Sequence, residues 1–134
     1  MGPSIKQKSQ RYSKKETQCM AEAIHGEARG EPVKGQIFVG QVILTRLKRG
    51  YGTDICKVVY ARRQFAPKKK PTKASYRSAK KAIKKGPNGV THFHSYKRRK
   101  TSKAIFSNSK KCTYAYKVGN HWGFTCGRRG LASH

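Results

Sequence analysis

Residues 33–50, VKGQIFVGQVILTRLKRG, constrain the fold more than any other stretch. Val33, Ile37, Phe38, Val39, Val42, Ile43, Leu44 and Leu47 fall on nearly every side of a helix with a 3.6-residue period. A helix that is apolar all round has no side to give to water, so it belongs at the centre of a domain with other elements laid against it. Pro32 suits its first turn, and Gly50 and Gly52 end it. Gly40 inside it costs helix stability, which implies close approach of another backbone or of a bound molecule, with packing the plainer reason.

The remaining segments supply what surrounds this helix. Before it, Ser13 to Ala28 reads as a helix whose Ser13-Lys14-Lys15-Glu16 start fits a capping box. After it, Thr53 or Asp54 can cap a short third helix, DICKVVYA, in which Ile55, Val58 and Val59 share a side. The loop ARRQFAPKKKPTK leads to a fourth helix from Ala74 to Lys85, with Tyr76, Ala79 and Ile83 inward and Lys80, Lys81, Lys84 and Lys85 outward. Gly86-Pro87 stops it. The period then changes to two. Asn88-Gly89 is a turn, and VTHFHSY can alternate with either His92 and His94 or Phe93 and Ser95 facing the core. CTYAYKVGNHWGFTC predicts a hairpin turning at Gly119-Asn120. Helices first and a small antiparallel sheet last make an α+β fold. The expected organisation is a disordered basic arm over 1–12, a single catalytic domain over 13–127 and a short basic tail over 128–134.

The chain holds 32 Lys and Arg against 5 Asp and Glu, a formal net charge of +27, which implies attraction to polyanions without choosing among them. No stretch is long and apolar enough for a membrane span, and MGPSIKQKSQ lacks the apolar core of a secretory signal. The expectation is a soluble protein made in the cytoplasm without a signal peptide. Four of the five acids, Glu16, Glu22, Glu27 and Glu31, crowd into one stretch, leaving only Asp54 elsewhere. Met20, Ala23, Ile24 and Glu27 stand at i, i+3, i+4 and i+7, so the Glu27 carboxyl continues an apolar stripe. Desolvation disfavours a carboxylate and raises its pKa, which makes a proton donor at neutral pH. The plain alternative is a carboxylate neutralised by Arg29 or another cation. Glu16 is expected as a cap, Glu22 as a solvated residue on the opposite side of the helix, and Glu31 at the positive end of the helix that Pro32 opens.

Cys19, Cys56, Cys112 and Cys126 show neither CxxC nor zinc-ligand spacing. Cys19 and Cys56 read as buried free thiols. Cys112 and Cys126 flank the hairpin and could meet across it, but a chain folding in a reducing compartment is expected to leave them unjoined. His92 and His94, two apart on a strand, could share a metal. No third ligand suggests itself, so neither metal nor cofactor is expected. No GxSxG elbow, SxxK or phosphate-binding glycine loop occurs. Aromatics including Tyr96, Tyr114, Tyr116, Trp122 and Phe124 interleave with the cations, a mixture that suits sugar rings as well as stacked bases, and half of them are accounted for by a hairpin core.

GEARGEP at 26–32, GQ at 35–36, CKVVY at 56–60, QF at 64–65 and GNHWGF at 119–124 occur in an order that resembles the SleB/CwlJ-type cell-wall hydrolases, the family of spore-cortex-lytic enzymes and related phage lysins. The likeness runs from about residue 17 to 125. It implies a small lysozyme/lytic-transglycosylase-like domain acting on peptidoglycan, between N-acetylmuramic acid and N-acetylglucosamine. It implies Glu27 as catalytic acid/base, and Gln64, Phe65, Asn120 and His121 as residues lining the cleft. His25 is read beside them in the same cleft, with Tyr96 and Trp122 as sugar-stacking candidates. Three features depart from the family pattern: His25 stands for a Tyr, Thr45 for an Asn, and the Lys97–Lys111 region is more basic.

Hydrolytic glycosidases usually need two carboxyls, whereas a lytic transglycosylase manages with one. With Glu31 the only candidate for a second, transglycosylation is the expected outcome and a hydrolytic muramidase the alternative. The expected partners are peptidoglycan glycan strands, together with lipopolysaccharide or teichoic acid drawn to the basic surface. No specific nucleic acid is expected, and the protein is expected to be a monomer. The charge and absent leader suggest a phage-type endolysin reaching the wall by holin-type release or from a virion. A non-catalytic basic nucleic-acid-binding protein would explain the charge but not the acidic cluster or the ordered motifs.

Overall fold

The computed structural model describes residues 12–61, 70–95 and 112–127. Among the described residues four helices come first, α1 (Lys14–Ala28), α2 (Val33–Lys48), α3 (Ile55–Tyr60) and α4 (Lys73–Lys85). Three strands follow, β1 (His92–Ser95), β2 (Cys112–Val118) and β3 (His121–Cys126). They form one antiparallel sheet in the order β1-β3-β2. This is the α+β arrangement expected, with the small sheet at the C-terminal end.

The all-round apolar helix is central. On one side Val39, Ile43 and Leu44 join Met20, Ile24, Ile55, Val58, Ala79 and Ala82 in a helical core. On the other, Phe38 and Val42 meet Val90, with Phe93 and Val118 of the sheet against them. Full burial of a Val, Leu, Ile, Phe or Met side chain contributes about 1.5–3 kcal/mol. Packing accounts for Gly40: a Cβ there would stand 2.5 Å from the Ala82 Cβ and 3.1 Å from the Met20 Sδ.

The helix ends follow local chemistry. Ser13 and Glu16 make the reciprocal capping box, and a Glu16 carboxylate oxygen also accepts from Ile55 N at 3.2 Å, capping α3 with the same side chain. Asp54 accepts from Lys57 N at 2.8 Å. Thr72 and Ser75 cap α4, which ends at Gly86 with φ +84. The buried face of α4 differs from expectation. Ser75, Ser78, Ala79 and Ala82 are buried, while Tyr76 and Ile83 are half-buried at its margin. Both α1 and α2 press on this helix, and only small side chains fit between the backbones. Tyr12, assigned to the arm, packs against the helical core.

The cysteines are paired, contrary to the free thiols expected of Cys19 and Cys56 and to the unjoined state expected of Cys112 and Cys126. Cys19 and Cys56 are joined across 37 residues, tying α1 to α3, and Cys112 and Cys126 are joined across 14. Helix packing brings the first pair together and strand register the second, since Cys112 and Cys126 stand opposite each other in the β2–β3 ladder.

The sheet has two working faces. Phe93, His121, Gly123 and, beyond a bulge between Tyr114 and Tyr116, Tyr116 turn toward Phe38 of α2. His92, Phe124, Tyr114, Trp122 and the Cys112–Cys126 pair share the opposite face. The strand left open between two registers therefore uses both: Phe93 faces the helices and His92 the disulfide.

Candidate active site

Glu27 sits in the last turn of α1. The buried Met20, Ala23 and Ile24 precede it on one stripe, and Glu27 itself is half-buried. Arg46 of α2 interacts electrostatically with it, while Arg29 is exposed at the C-cap. Arg46 is only 3 % exposed. Burial lowers its pKa to about 10, against the pull of Tyr51 and Glu27, so it stays charged at neutral pH. Its Nε donates to the Thr91 carbonyl at 2.6 Å, fixing the guanidinium between α2 and the entry to β1. Nothing marked Arg46 among 32 cations, although it continues the Phe38, Val42 spacing of the helix face that meets the sheet.

A second group forms where α2 begins and β2 turns into β3. Glu31 accepts from Asn120 N at 3.3 Å and from Asn120 Nδ2 at 3.0 Å. Gly119, at φ +58, adopts the left-handed conformation that carries the chain through this turn. His121 is buried between Phe38, stacked at 6.1 Å, and Phe93, edge-on at 5.2 Å. Neither of its ring nitrogens has a hydrogen-bond partner among the described residues. Burial pushes its pKa below 6.5 against the opposing pull of Glu31, leaving a neutral imidazole at pH 7.

The structure thus brings together Glu31, Asn120 and His121, and places Glu27 beside Arg46. His25 is half-buried, but a helical step of two residues turns it roughly 160° round α1 from Glu27. Trp122 lies on the sheet face opposite His121, against Tyr114 at 5.5 Å and under the Lys117 ammonium at 5.7 Å. Gln64, Phe65 and Tyr96 lie outside the described residues, as do the Lys97–Lys111 region, the arm over 1–11 and the tail over 128–134.

Three acids are committed elsewhere. Glu16 and Asp54 cap helices. Glu22, expected to be solvated, accepts from Tyr60 Oη at 2.6 Å and Gln18 Nε2 at 3.1 Å because α3 folds back over α1. A shallow depression lined by Asp54, Cys56, Lys57, Tyr60 and Ala61 belongs to that α1–α3 contact, toward the other end of α1 from Glu27. Thr45, the departure from Asn, is structural: its hydroxyl accepts from Asn88 N and Gly89 N at 3.0 Å and holds the turn before β1.

A family model described as Cell Wall Hydrolase matches residues 30–124, beginning three residues after Glu27 and including Glu31 and the Asn120-His121 turn. The spore cortex-lytic enzyme of Oceanobacillus iheyensis is 46% identical over 57 residues, 42% of this chain and 21% of that protein. That of Halalkalibacterium halodurans is 58% identical over 36 residues, 27% of this chain and 11% of that protein. The chain therefore spans about a fifth or less of the length of these curated relatives. Among solved structures, the catalytic domain of the Bacillus cereus SleB protein superposes with a TM-score of 0.69 at 26% identity, over 87% of this chain and 92% of that one. The catalytic domain of the germination-specific lytic transglycosylase SleB from Bacillus anthracis gives 0.71 at 24% identity, over 88% and 98%. With most of its length matched in sequence and the same fold as these domains, the chain belongs to the Cell Wall Hydrolase family.

Proposed function

We propose that this chain cleaves the glycan strand of peptidoglycan between N-acetylmuramic acid and N-acetylglucosamine, as a lytic transglycosylase with Glu27 as its acid and base. The observation that carries the reading is the setting of Glu27, half-buried at the end of an apolar stripe in a fold shared with SleB catalytic domains. The protonated carboxyl donates to the glycosidic oxygen, and the bond from that oxygen to muramic C1 breaks. The resulting carboxylate takes the proton of the muramic C6 hydroxyl as its oxygen closes onto C1. The product is a 1,6-anhydro end, and no water is consumed.

The commitments of the other acids favour this outcome over hydrolysis. Glu16, Glu22 and Asp54 are held in helix contacts, which leaves Glu31, in the clasp with Asn120, as the one candidate for a second carboxyl. Asn120 and His121 are read as the sheet-side wall of the glycan site. The exposed cations of α4, Lys73, Arg77, Lys80, Lys81, Lys84 and Lys85, are read as the surface that draws the protein to teichoic acid or lipopolysaccharide. The net charge of +27 supports placing the enzyme with phage-type endolysins acting at the wall.

Mass spectrometry of the products from purified walls tests the chemistry. Anhydro-muramic ends are expected; reducing muramic ends would replace the proposal with a hydrolytic muramidase using Glu31. Glu27→Gln is expected to keep its circular dichroism and lose at least about 100-fold in lysis rate. A folded variant with full activity would remove Glu27 from the mechanism.

A further inference from the structure

On the sheet face turned away from α2, three metal-ligating side chains converge. Cys112 and Cys126 are opposed across β2 and β3, and the His92 Nδ1 lies 3.1 Å from the Cys126 Sγ. The ligand atoms of all three lie within 4.8 Å of one another. A tetrahedral ion with ordinary zinc–sulfur and zinc–nitrogen bonds sets its ligand atoms roughly 3.4–3.8 Å apart, inside that span. Both cysteines are buried, with Phe124, Tyr114 and Trp122 packed against them. Two soft thiolates and an imidazole form a donor set that suits zinc rather than magnesium or calcium. We propose that Cys112, Cys126 and His92 are a zinc site that exists when the cross-strand disulfide is reduced, two thiolates and the imidazole Nδ1 taking the ion in place of the sulfur–sulfur bond.

The hydrogen bonding around His92 accommodates both states. In the disulfide form the Thr91 Oγ1 lies 2.8 Å from the His92 Nδ1. The same hydroxyl has a second acceptor, the Phe124 carbonyl at 3.3 Å, and it accepts from Cys126 N at 2.9 Å. When Nδ1 is given to a metal, the Thr91 proton turns to Phe124 and no buried hydroxyl is stranded. The chemistry balances. A dithiol reductant supplies two electrons and two protons, the Cys112–Cys126 bond breaks to two thiols, and the reductant closes to its own disulfide. Zinc then displaces both thiol protons to solvent, forming two zinc–sulfur bonds and one zinc–nitrogen bond. The fourth position stays open to water. Sequence spacing offered no third ligand beside His92 and His94; strand pairing brings in two cysteines that spacing does not.

The test is metal binding by the full chain carrying Cys56→Ser, which leaves Cys19 as a single thiol and so isolates the second pair. After anaerobic reduction with a phosphine, calorimetric titration with zinc is expected to show one ion bound per chain with two protons released. Cobalt(II) in its place is expected to give the thiolate-to-metal charge-transfer band of a two-sulfur site. The oxidised protein is expected to bind neither ion, His92→Ala to weaken zinc binding by at least about 10-fold, and Cys112→Ser to abolish it. Reduced protein that keeps its circular dichroism yet binds no zinc overturns the proposal. So does zinc binding unchanged by oxidation or by His92→Ala. Should a substitution prevent folding, the cobalt spectrum of the reduced wild-type chain decides: a spectrum without the thiolate band overturns the site.

Discussion

Two buried basic side chains, Arg46 and His121, respond to burial with different charge states at neutral pH. Arg46 stays cationic at neutral pH although burial lowers its pKa to about 10, against the opposing pull of Tyr51 and Glu27. His121 stays neutral because burial holds its pKa below 6.5. As pH falls below 6.5 the unfolded chain takes up a proton that folded His121 resists, so its contribution to stability is intact above that pH and is lost as pH drops toward the folded pKa. Melting temperature is accordingly expected to fall as pH drops below 6.5. Subtracting the profile of His121→Gln from that of wild type should remove part of the slope. Parallel profiles would mean that the imidazole titrates as it does in the unfolded chain. At this scale the half-buried place of Glu27 at the end of an apolar stripe was legible from helical spacing, whereas Arg46 was hidden by the abundance of cations. Glu31 looked like a helix-end charge, and only the fold shows it reaching the Asn120 turn.

Among elements, the crossing of α2 and α4 is the tightest described. Ala at Gly40 would gain about 1 kcal/mol of helix propensity, but its methyl would meet Ala82 at 2.5 Å. Overpacking costs about 1–3 kcal/mol, so Gly40→Ala is expected to lower the melting temperature by a few degrees in calorimetry. A rise would show that α4 can retreat freely. Helix boundaries followed caps and glycines that can be read locally, such as Ser13, Asp54, Thr72 and Gly86. The buried face of α4 could not be read in this way. Its neighbours demand small residues, so Ser75 and Ser78 displaced Tyr76 and Ile83 from the positions periodicity favoured. The bulge at Tyr114/Tyr116 was equally hidden, and it sends two tyrosines of one strand to opposite faces.

Over the whole molecule, a formal charge of +27 repels itself. Self-repulsion of this size opposes compaction, and salt relieves it by shortening the Debye length from about 30 Å at 0.01 M to about 10 Å at 0.1 M. The melting temperature is expected to rise over that range, and scanning calorimetry in a salt series reads it directly. A flat or falling series would mean that the cations are too dispersed to matter. The Cys19–Cys56 link, closing a 37-residue separation, offsets the repulsion by roughly 4 kcal/mol of unfolded-state entropy on the chain-closure model. The placement of β3 acts on the timing of assembly. It follows β1 and β2 in the chain, yet both pair with it and neither pairs with the other. During synthesis the helices can pack while the sheet still lacks its middle. The Asn120–Glu31 clasp and the strand carrying His121 can therefore form only once residues 119–126 have left the ribosome.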